Sequence, residues 1–361
     1  MNVNELLAKV YSSHASDLVL KVKSPPLIRV NGELVRVGET LLGPEDIVLM
    51  AKTLTTEEEW PRFDREMELD LAYTAEGVAR FRINMFKQRG SISIVCRIIA
   101  SEVPTIESLG LPPIVADLAM RPRGLVLVTG SAASGKSTTQ AAIIDHRNAN
   151  EECHVMTIED PVEFIHSDKK GLVNQRQVGR DTQSFANGLK YVLRQDPDVI
   201  LIGEMRDLET IGMAITAAET GHLAIGTLHT TNSAQTIDRV INAFPSHQQQ
   251  QIRMQLSINL IAVISQVLCC RADGQGLVAG FEVLLATPAI RNVIRENKTF
   301  QISQLLQMGT KEGMISLERS LVDMVKQGTV TVDEAFAKSS RPEELANLLG
   351  PQAAPAAAGI F

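Results

Sequence analysis

The 361 residues are enough for two domains, and with 44% hydrophobic and 21% charged residues the chain can bury a sizeable core, which excludes global disorder. The net charge is −7, and acidic side chains outnumber basic ones both before and after Asp117, so binding of a nucleic-acid backbone is not expected as the main activity. Four scattered cysteines without a C-x-x-C pair exclude a disulfide framework and a zinc knuckle.

The first 99 residues predict a small α+β domain. A short amphipathic helix over Met1–Val10 is followed by five strand-like runs, with one helix, Glu45–Lys52, among them. Asn31-Gly32, a strong signal for a two-residue hairpin turn, separates the second run from the third. The predicted strands are Asp17–Val22, Leu27–Val30, Glu33–Val37, Ala79–Phe86 and Ser91–Ile99.

Residues 100–118 contain several prolines and are predicted to link this domain to a second one, residues 119–349. From Gly124 onward, short apolar runs alternate with helical segments, which is typical of an α/β sheet whose parallel strands are buried on both faces. After about Gln248 the periodicity is mostly helical, and the Pro/Ala-rich tail, residues 350–361, is expected to be disordered. The predicted strands are Leu125–Thr129, Val155–Ile158, Val199–Ile202 and Leu223–Thr227, and the predicted helices are Lys136–Arg147, Thr182–Gln195, Leu208–Glu219 and Ala234–Asn242.

The sequence predicts neither a signal peptide nor a membrane span. Met1–Glu5 lacks the basic and apolar regions of a signal peptide. Leu256–Leu268, the most apolar long stretch, is interrupted by polar residues and is too short to cross a bilayer. We therefore expect a cytoplasmic chain.

The segment Gly130–Ser137 matches the phosphate-loop motif G-x-x-x-x-G-K-[ST] completely. A predicted strand precedes it and a predicted helix follows it, which disfavours a chance Gly/Ser turn. Backbone N–H groups of the loop and of the helix N-terminus suit the phosphates of a nucleotide. Lys136 is expected to reach the β- and γ-phosphates, and the Ser137 hydroxyl is expected to bind Mg²⁺. Ala133 stands where many such loops place a further glycine.

A second candidate segment, the acidic stretch Thr157–Glu163, overlaps and extends beyond the predicted strand Val155–Ile158. It lies at the carboxyl end of that strand, where α/β sheets have their binding sites. Pro161 prevents a simple helix there, so the carboxylates of Glu159, Asp160 and Glu163 crowd a loop. They could hold Mg²⁺ or orient a water molecule. The alternative is a solvated turn in which one acid caps a helix.

Glu204 follows the apolar run Val199–Ile202 directly after Gly203. In this position a carboxylate can orient and activate a water molecule for attack on the γ-phosphate, with Mg²⁺ alongside. The alternative is a helix N-terminal acid that pairs with Arg206.

His222 and His229 bracket the predicted strand Leu223–Thr227. Because their separation of seven is odd, the two imidazoles are expected on opposite faces of the strand and therefore not on one metal ion. We expect one of them to sense nucleotide at the end of the strand and the other to face a neighbouring element or subunit. An ordinary surface or core role is the alternative for each.

Four segments together resemble the Walker A, Asp, Walker B and His boxes of the secretion ATPases: Gly130–Ser137, Thr157–Glu163, Leu193–Asp207 and Thr220–Ser233. The chain looks closest to the PilT/PilU branch, the type IV pilus retraction motors, since it has neither the tetracysteine zinc insertion nor the extra N-terminal domain usual in assembly and secretion motors. Ala289–Glu296 also resembles a C-terminal segment associated with retraction.

The resemblance implies a PAS-like N-terminal domain and a RecA-like ATPase domain with a mainly parallel sheet and a helical C-terminal part. It implies ATP and Mg²⁺ as cofactors, with Glu204 as the catalytic glutamate, Glu163 as the critical acid of the Asp box, Lys136 as a further catalytic residue and His222 as the His-box histidine. Mg²⁺ would be bound by Ser137 and, through water, by Glu204. Nucleotide would sit between the two domains. The residues implied to bind nucleotide are Gly130, Ser131, Ala132, Ala133, Ser134, Gly135, Lys136, Ser137, Thr138, Arg80, Arg82, Arg97 and His229.

The three arginines of that set are assigned by motif match. Arginine is preferred for bidentate phosphate contact, but by spacing alone Arg80, Arg82 and Arg97 are surface charges. The implied assembly is a homohexamer at the cytoplasmic face of the inner membrane. Its implied partners are an inner-membrane pilus platform protein and a paralogous pilus motor ATPase, with no nucleic acid.

Two other functions fit the same motifs. A RecA-like nucleic-acid translocase uses the same phosphate-loop chemistry, but it needs a basic groove, which the charge balance disfavours. A PilU-like accessory subunit of the ring would bind nucleotide, hydrolyse little of it and depend on a partner motor. Ala133 is the residue that favours this second alternative.

Overall fold

The computed structural model describes residues 2–30, 32–99 and 103–350, and these form two compact units. Unit 1 comprises the described residues up to Ile99 together with Pro161–Ile165. Unit 2 comprises Val103–Asp160 and the chain from His166 onward. Each unit is built on its own β-sheet, so the predicted mixed α/β class is confirmed.

Unit 1 is a six-stranded antiparallel sheet with helices packed against it. Its elements are α1 (Val3–Ser12), β1 (Asp17–Lys21), β2 (Leu27–Val30), β3 (Glu33–Arg36), α2 (Pro44–Leu54), α3 (Glu59–Glu66), β4 (Glu68–Ala75), β5 (Ala79–Gln88) and β6 (Ser91–Ile99). The strand order is β3-β2-β1-β6-β5-β4. Neither α3 nor β4 was predicted from the sequence, although Leu69 and Leu71 alternate with Glu68 and Asp70 as expected of a half-buried strand.

The core of unit 1 lies on one side of this sheet. In β5 the side chains of Phe81, Ile83 and Met85 are fully buried, and the residues between them face outward. The predicted hairpin is consistent with the antiparallel pairing of Val30 with Glu33, but its residue 31 lies outside the described part of the chain.

Unit 2 contains a seven-stranded sheet in the order β13-β12-β7-β11-β10-β8-β9, in which only the pairing of β12 with β13 is antiparallel. Its elements are α4 (Ile114–Ala119), β7 (Gly124–Thr129), α5 (Lys136–Asn150), β8 (His154–Glu159), β9 (Leu172–Gln177), α6 (Phe185–Val192), β10 (Val199–Ile202), α7 (Leu208–Glu219), β11 (Leu223–Leu228), α8 (Ser233–Asn242), α9 (Ser246–Asn259), β12 (Leu260–Cys270), β13 (Leu277–Leu285), α10 (Pro288–Arg295), α11 (Ile302–Met308), α12 (Leu317–Lys326), α13 (Val332–Lys338) and α14 (Pro342–Leu349).

Both faces of this sheet are covered, as the continuous apolar runs predict. Every residue of β7, β10 and β11 is buried. The proline-rich segment expected to link two domains contributes to one of these cores, because Ile106, Leu111 and Val115 pack there with α5 and β7.

The prediction of a mostly helical chain after about Gln248 is wrong for β12 and β13. The β-branched residues Ile261, Val263 and Ile264 favour a strand, and pairing of β12 with both β7 and β13 buries it on both sides. The helical prediction is confirmed for the region from α10 to α14. The predicted disordered tail falls outside the described residues except for Gly350. No helix in the described chain is long and apolar enough to cross a membrane.

Candidate functional site

Four sequence-predicted groups of unit 2 lie at one edge of its sheet. β7, β11, β10 and β8 are parallel neighbours, so their carboxyl ends meet at this edge. The phosphate-loop segment Gly130–Ser137 follows β7, His229 follows β11, Glu204 follows β10 and Glu159 ends β8. Because adjacent strands lie about 4.8 Å apart, the ends of β7 and β10 are separated by about 10 Å. This spacing can accommodate a phosphate group between the loop and Glu204.

The loop turns sharply and then opens into α5. Gly130, Ala133 and Gly135 all have positive φ, of +149°, +57° and +87°. The first turn of α5 has no side-chain cap, so its backbone N–H groups can be offered to an anion. Ser137 and Thr138 lie half-buried on that turn.

The ammonium group of Lys136 is hydrogen-bonded to the backbone at the start of the loop. Its Nζ donates hydrogen bonds to the carbonyl oxygens of Gly130 (2.9 Å) and Ser131 (2.7 Å), and the residue is buried. A phosphate group bound by the loop would compete with these two carbonyls for the same charge.

The two glycines of the loop are required by their neighbours. A Cβ at Gly130 would lie 2.5 Å from the backbone oxygen of Gln266, and one at Gly135 would lie 3.0 Å from the Gln266 Nε2. Ala133, Ser131 and Ala132 are instead exposed, so the methyl group of Ala133 has room although its backbone is left-handed.

Glu204 has both carboxylate oxygens paired. The Nε2–H of His229 donates to Oε1 at 2.9 Å, and the Arg206 guanidinium donates to Oε2 at 2.6 Å. The hydrogen bond from Arg206 is the largest influence on the pKa of the Glu204 carboxyl and holds it below its usual range, against the opposing effect of partial burial. Glu204 is therefore a permanent anion near neutral pH.

The two histidines lie at opposite ends of β11, as predicted from their positions on either side of the apolar run. β11 begins after His222 and ends before His229, which puts the two about 20 Å apart along the strand. The His222 ring contacts Ala217 O (3.0 Å) and the Thr220 hydroxyl (3.1 Å), away from the phosphate loop. Only His229 belongs to the edge that carries the loop.

The three acids of the second predicted segment separate. Glu159 ends β8, where the hydroxyl of Thr157 donates to its Oε1 at 2.6 Å. Asp160 is exposed, and its charge helps to raise the pKa of Arg206. Glu163 is half-buried in the Pro161–Ile165 segment that packs with unit 1.

In unit 1, the three predicted arginines share one face of the sheet. Arg80 and Arg82 are two residues apart on β5, and Arg97 on β6 pairs directly with Arg82. Like charges directly opposite one another are unfavourable unless anions lie nearby. Asp17 accepts a hydrogen bond from Arg97 at 2.8 Å, and Asp70 lies 3.9 Å from Arg82.

Arg80 is half-buried beside a cavity lined by Val78 and Ile99, among others. The three arginines that share this face make it a candidate anion-binding surface of unit 1.

Two polar residues on β12 and β13, Gln266 and Glu282, were not predicted from the sequence to have a role. The amide of Gln266 donates to the Ser134 carbonyl of the phosphate loop. The buried Glu282 accepts hydrogen bonds from the backbone N–H and the hydroxyl of Ser233, both at 2.7 Å, at the start of α8. Burial raises the pKa of Glu282. The available signal was a polar residue inside each apolar run.

The chain is similar to known proteins over most of its length. The model of the family described as "Type II/IV secretion system protein" matches residues 2–337. The chain is 46% identical over 343 residues to the type IV pilus retraction ATPase PilT of Pseudomonas aeruginosa, covering 95% of this chain and 99% of that protein. It is 39% identical to the type IV pilus ATPase PilU of the same organism, covering 96% and 90%. A crystal structure of the pilus retraction motor PilT with bound ADP superposes with a TM-score of 0.90 at 41% identity, covering 96% and 99%.

Proposed function

The chain belongs to the type II/IV secretion system protein family, and from that premise we propose that it is an ATP-hydrolysing motor that powers type IV pilus retraction and twitching motility. The observation that carries the proposal is the edge of the unit 2 sheet, where the phosphate loop Gly130–Ser137 lies beside Glu204. The Glu204 carboxylate accepts hydrogen bonds from Arg206 and His229. The likeness to PilT supports the biological role, and the bound ADP in its structure supports nucleotide as the ligand.

The phosphate loop binds the nucleotide. Backbone N–H groups of the loop and of the first turn of α5 receive the phosphate oxygens, and Lys136 adds its charge at the β- and γ-phosphates. Lys136 leaves the carbonyls of Gly130 and Ser131 as it turns to the phosphates. Thr138, next along the helix, lines the same end.

The donor set fits Mg²⁺. The Ser137 hydroxyl and the Glu204 carboxylate are hard oxygen donors, and Mg²⁺ is usually held by one or two protein oxygens together with phosphates and water. Among the described residues no cluster of three or more His, Cys, Asp or Glu could hold a metal ion. When bound, the cation neutralises charge on the β- and γ-phosphates.

Glu204 orients the attacking water. Because its pKa is lowered, the carboxylate is a weak base at neutral pH, and its main contribution is a fixed negative charge that accepts a hydrogen bond from the water. His229 and Arg206 fix the carboxylate in one orientation. The water oxygen bonds to the γ-phosphorus while the bond from that phosphorus to the bridging oxygen breaks, ADP is the leaving group, and the proton of the water passes to Glu204 or to the phosphate product.

The proposed catalytic site also includes the arginine face of unit 1 and Glu163, the acid of the Asp box. Arg80, Arg82 and Arg97 are inferred to contact nucleotide phosphates and to stabilise the charge that develops in hydrolysis, in a homohexameric ring. The ring would act at the cytoplasmic face of the inner membrane on a pilus platform protein, with a paralogous motor as a further partner.

A PilU-like accessory role is the second candidate. The observation that favours it is the left-handed backbone of Ala133, because an L-residue in this conformation strains the phosphate loop. The charge balance of the chain gives no support to the third alternative, a nucleic-acid translocase.

Deletion of the gene tests the main proposal. We expect surface pili to be retained and surface motility to be lost, and re-expression of the unsubstituted chain should restore motility while Lys136→Ala should not. Loss of pili would instead indicate an assembly motor and contradict the proposal. An ATPase assay with and without the paralogous motor separates the two candidates: independent turnover supports the motor, and turnover only with the partner supports the accessory role.

A further inference from the structure

We propose that Gln266 is a positioning residue for nucleotide binding, whose side-chain amide holds the phosphate loop in the left-handed geometry that Ala133 disfavours. The inference rests on the proposed function of the loop and goes beyond it by assigning a residue from a neighbouring strand. Gln266 lies outside the loop motif and outside the acidic and histidine segments.

The contact is built into the sheet. β12 pairs with β7 in parallel, with Ser265 opposite Thr129, so Gln266 stands beside the point where β7 gives way to the loop. Its Nε2 donates to the carbonyl oxygen of Ser134 at 2.5 Å, and the whole residue is 2% exposed. The bond links positions 132 residues apart in the chain.

Gln266 touches the loop at three places. Besides Ser134, its backbone oxygen faces Gly130 and its Nε2 faces Gly135, so closely that a Cβ at either glycine would lie within 3.0 Å of it. One residue of β12 therefore borders the first glycine, the last glycine and the residue between them that follows the strained position. Small shifts of the loop would be transmitted to the same side chain.

Packing alone does not explain a glutamine here. The Oε1 atom of Gln266 is buried and has no hydrogen-bond partner among the described residues. A buried unpaired acceptor is unfavourable, and an apolar side chain of the same length would fill the space without it. The donated bond to Ser134 is thus the contribution that a glutamine makes and a methionine cannot.

The strain of the loop supplies the need for such a bond. Ala133 has a φ of +57°, and Ser134, the next residue, is the one that Gln266 holds. The other side-chain anchor of the loop is Lys136, whose ammonium is drawn towards phosphate when nucleotide binds. Gln266 is then the anchor that remains outside the phosphate site, and it keeps the left-handed turn in place.

The test is a double-mutant cycle on the full-length chain with ADP as the probe. Gln266→Met keeps the size of the side chain and removes the donor. Each variant is made alone and together with Ala133→Gly, and the dissociation constant for ADP is measured by titration below the unfolding temperature. Ser265→Ala is the matched control, because Ser265 is the neighbour of Gln266 on β12. The substitution removes a buried hydrogen bond of 2.8 Å between the hydroxyl groups of Ser265 and Thr129 and leaves the residues of the loop unchanged.

We expect Gln266→Met to weaken ADP binding about tenfold relative to the unsubstituted chain. Relative to the single variant Ala133→Gly, the double variant should weaken binding less than about threefold, because glycine adopts the left-handed turn without an anchor. Ser265→Ala should lower the unfolding temperature while it leaves ADP affinity within about twofold. Gln266→Glu, which replaces the donor by an acceptor, should weaken binding at least as much as Gln266→Met and provides a second variant if the first fails to fold.

An unchanged affinity in Gln266→Met, or the same loss with and without Ala133→Gly, would overturn the inference and leave the proposed function intact. If the unsubstituted chain bound no ADP and behaved in the titration like Lys136→Ala, both the inference and the proposed function would be overturned.

Discussion

Replacing Ala133 by glycine isolates the one departure of the phosphate loop from the usual pattern. The residue has a φ of +57°, in the left-handed region, and its side chain is exposed, so glycine removes backbone strain without opening a cavity. We expect Ala133→Gly to stabilise the folded loop and to tighten nucleotide binding.

The magnitude follows from two opposing effects. An L-residue in the left-handed region costs about 1–2 kcal/mol, and glycine costs about 0.4–1 kcal/mol through the greater entropy of the unfolded chain. The net gain in the free energy of unfolding is therefore between about zero and about 1.6 kcal/mol. If the whole strain appeared in binding, the affinity would rise roughly fivefold to thirtyfold. Because Gln266 and Lys136 already hold the loop, we expect only a part of it, about two- to fivefold.

The assay is a titration of ADP and of a non-hydrolysable ATP analogue, with steady-state ATPase measurements and thermal unfolding on the same preparations. Ala133→Val is the opposing control, since a β-branched residue tolerates positive φ worse than alanine. Ala132→Gly is the matched control, because it removes the same methyl group from the neighbouring exposed position. The affinity for nucleotide should be highest in Ala133→Gly, intermediate in the unsubstituted chain and lowest in Ala133→Val.

Equal affinity across the three residues at this position would refute the argument from strain. A gain in Ala132→Gly as large as in Ala133→Gly would also refute it, because general loop flexibility would then be sufficient. A lower ATPase rate together with tighter ADP binding would indicate that product release limits turnover.

Three further predictions concern the same edge of the sheet. Glu204→Gln should retain binding of ATP and lose about 10²- to 10³-fold in hydrolysis, because the amide carries no charge with which to hold the water; parallel binding and rate measurements check this. Lys136→Ala should weaken nucleotide binding itself, because its charge contacts phosphate before the reaction, so equal affinity in this variant and the unsubstituted chain would contradict the assignment. Arg206→Gln should shift the acid limb of the pH–rate profile to higher pH: Arg206 lowers the pKa of Glu204, so its loss lets the carboxylate protonate at a higher pH as acid is added, and an unmoved limb would show that Glu204 does not govern it.

The groups of the site that come from short segments were predictable from the sequence. The motif Gly130–Ser137 specifies a loop between a strand and a helix, and the run Val199–Ile202 specifies a buried strand that delivers Glu204 to its carboxyl end. These inferences succeed because apolar periodicity and residue spacing are local properties, and because parallel strands end at a common edge.

The expected pairing of Arg206 with Glu204 was also available as the alternative role, and the structure contains that pair. Both roles are compatible, since the same ion pair that a helix N-terminal acid would form also orients a carboxylate beside the loop. The pattern itself could not rank the two, because a spacing of two residues does not report side-chain direction.

The tertiary structure decided what depends on residues far apart in the chain. The apolar stretch beginning at Leu260 reads as a helix or a strand until β7 and β13 pair with it, and only that pairing brings Gln266 to the phosphate loop. The same holds for the hydrogen bond between His229 and Glu204 and for the sign of φ at Ala133. Hydrogen-bonded partners across a sheet and the backbone conformation of a single loop residue are set by the packed whole, because neither leaves a periodic trace in the neighbouring residues.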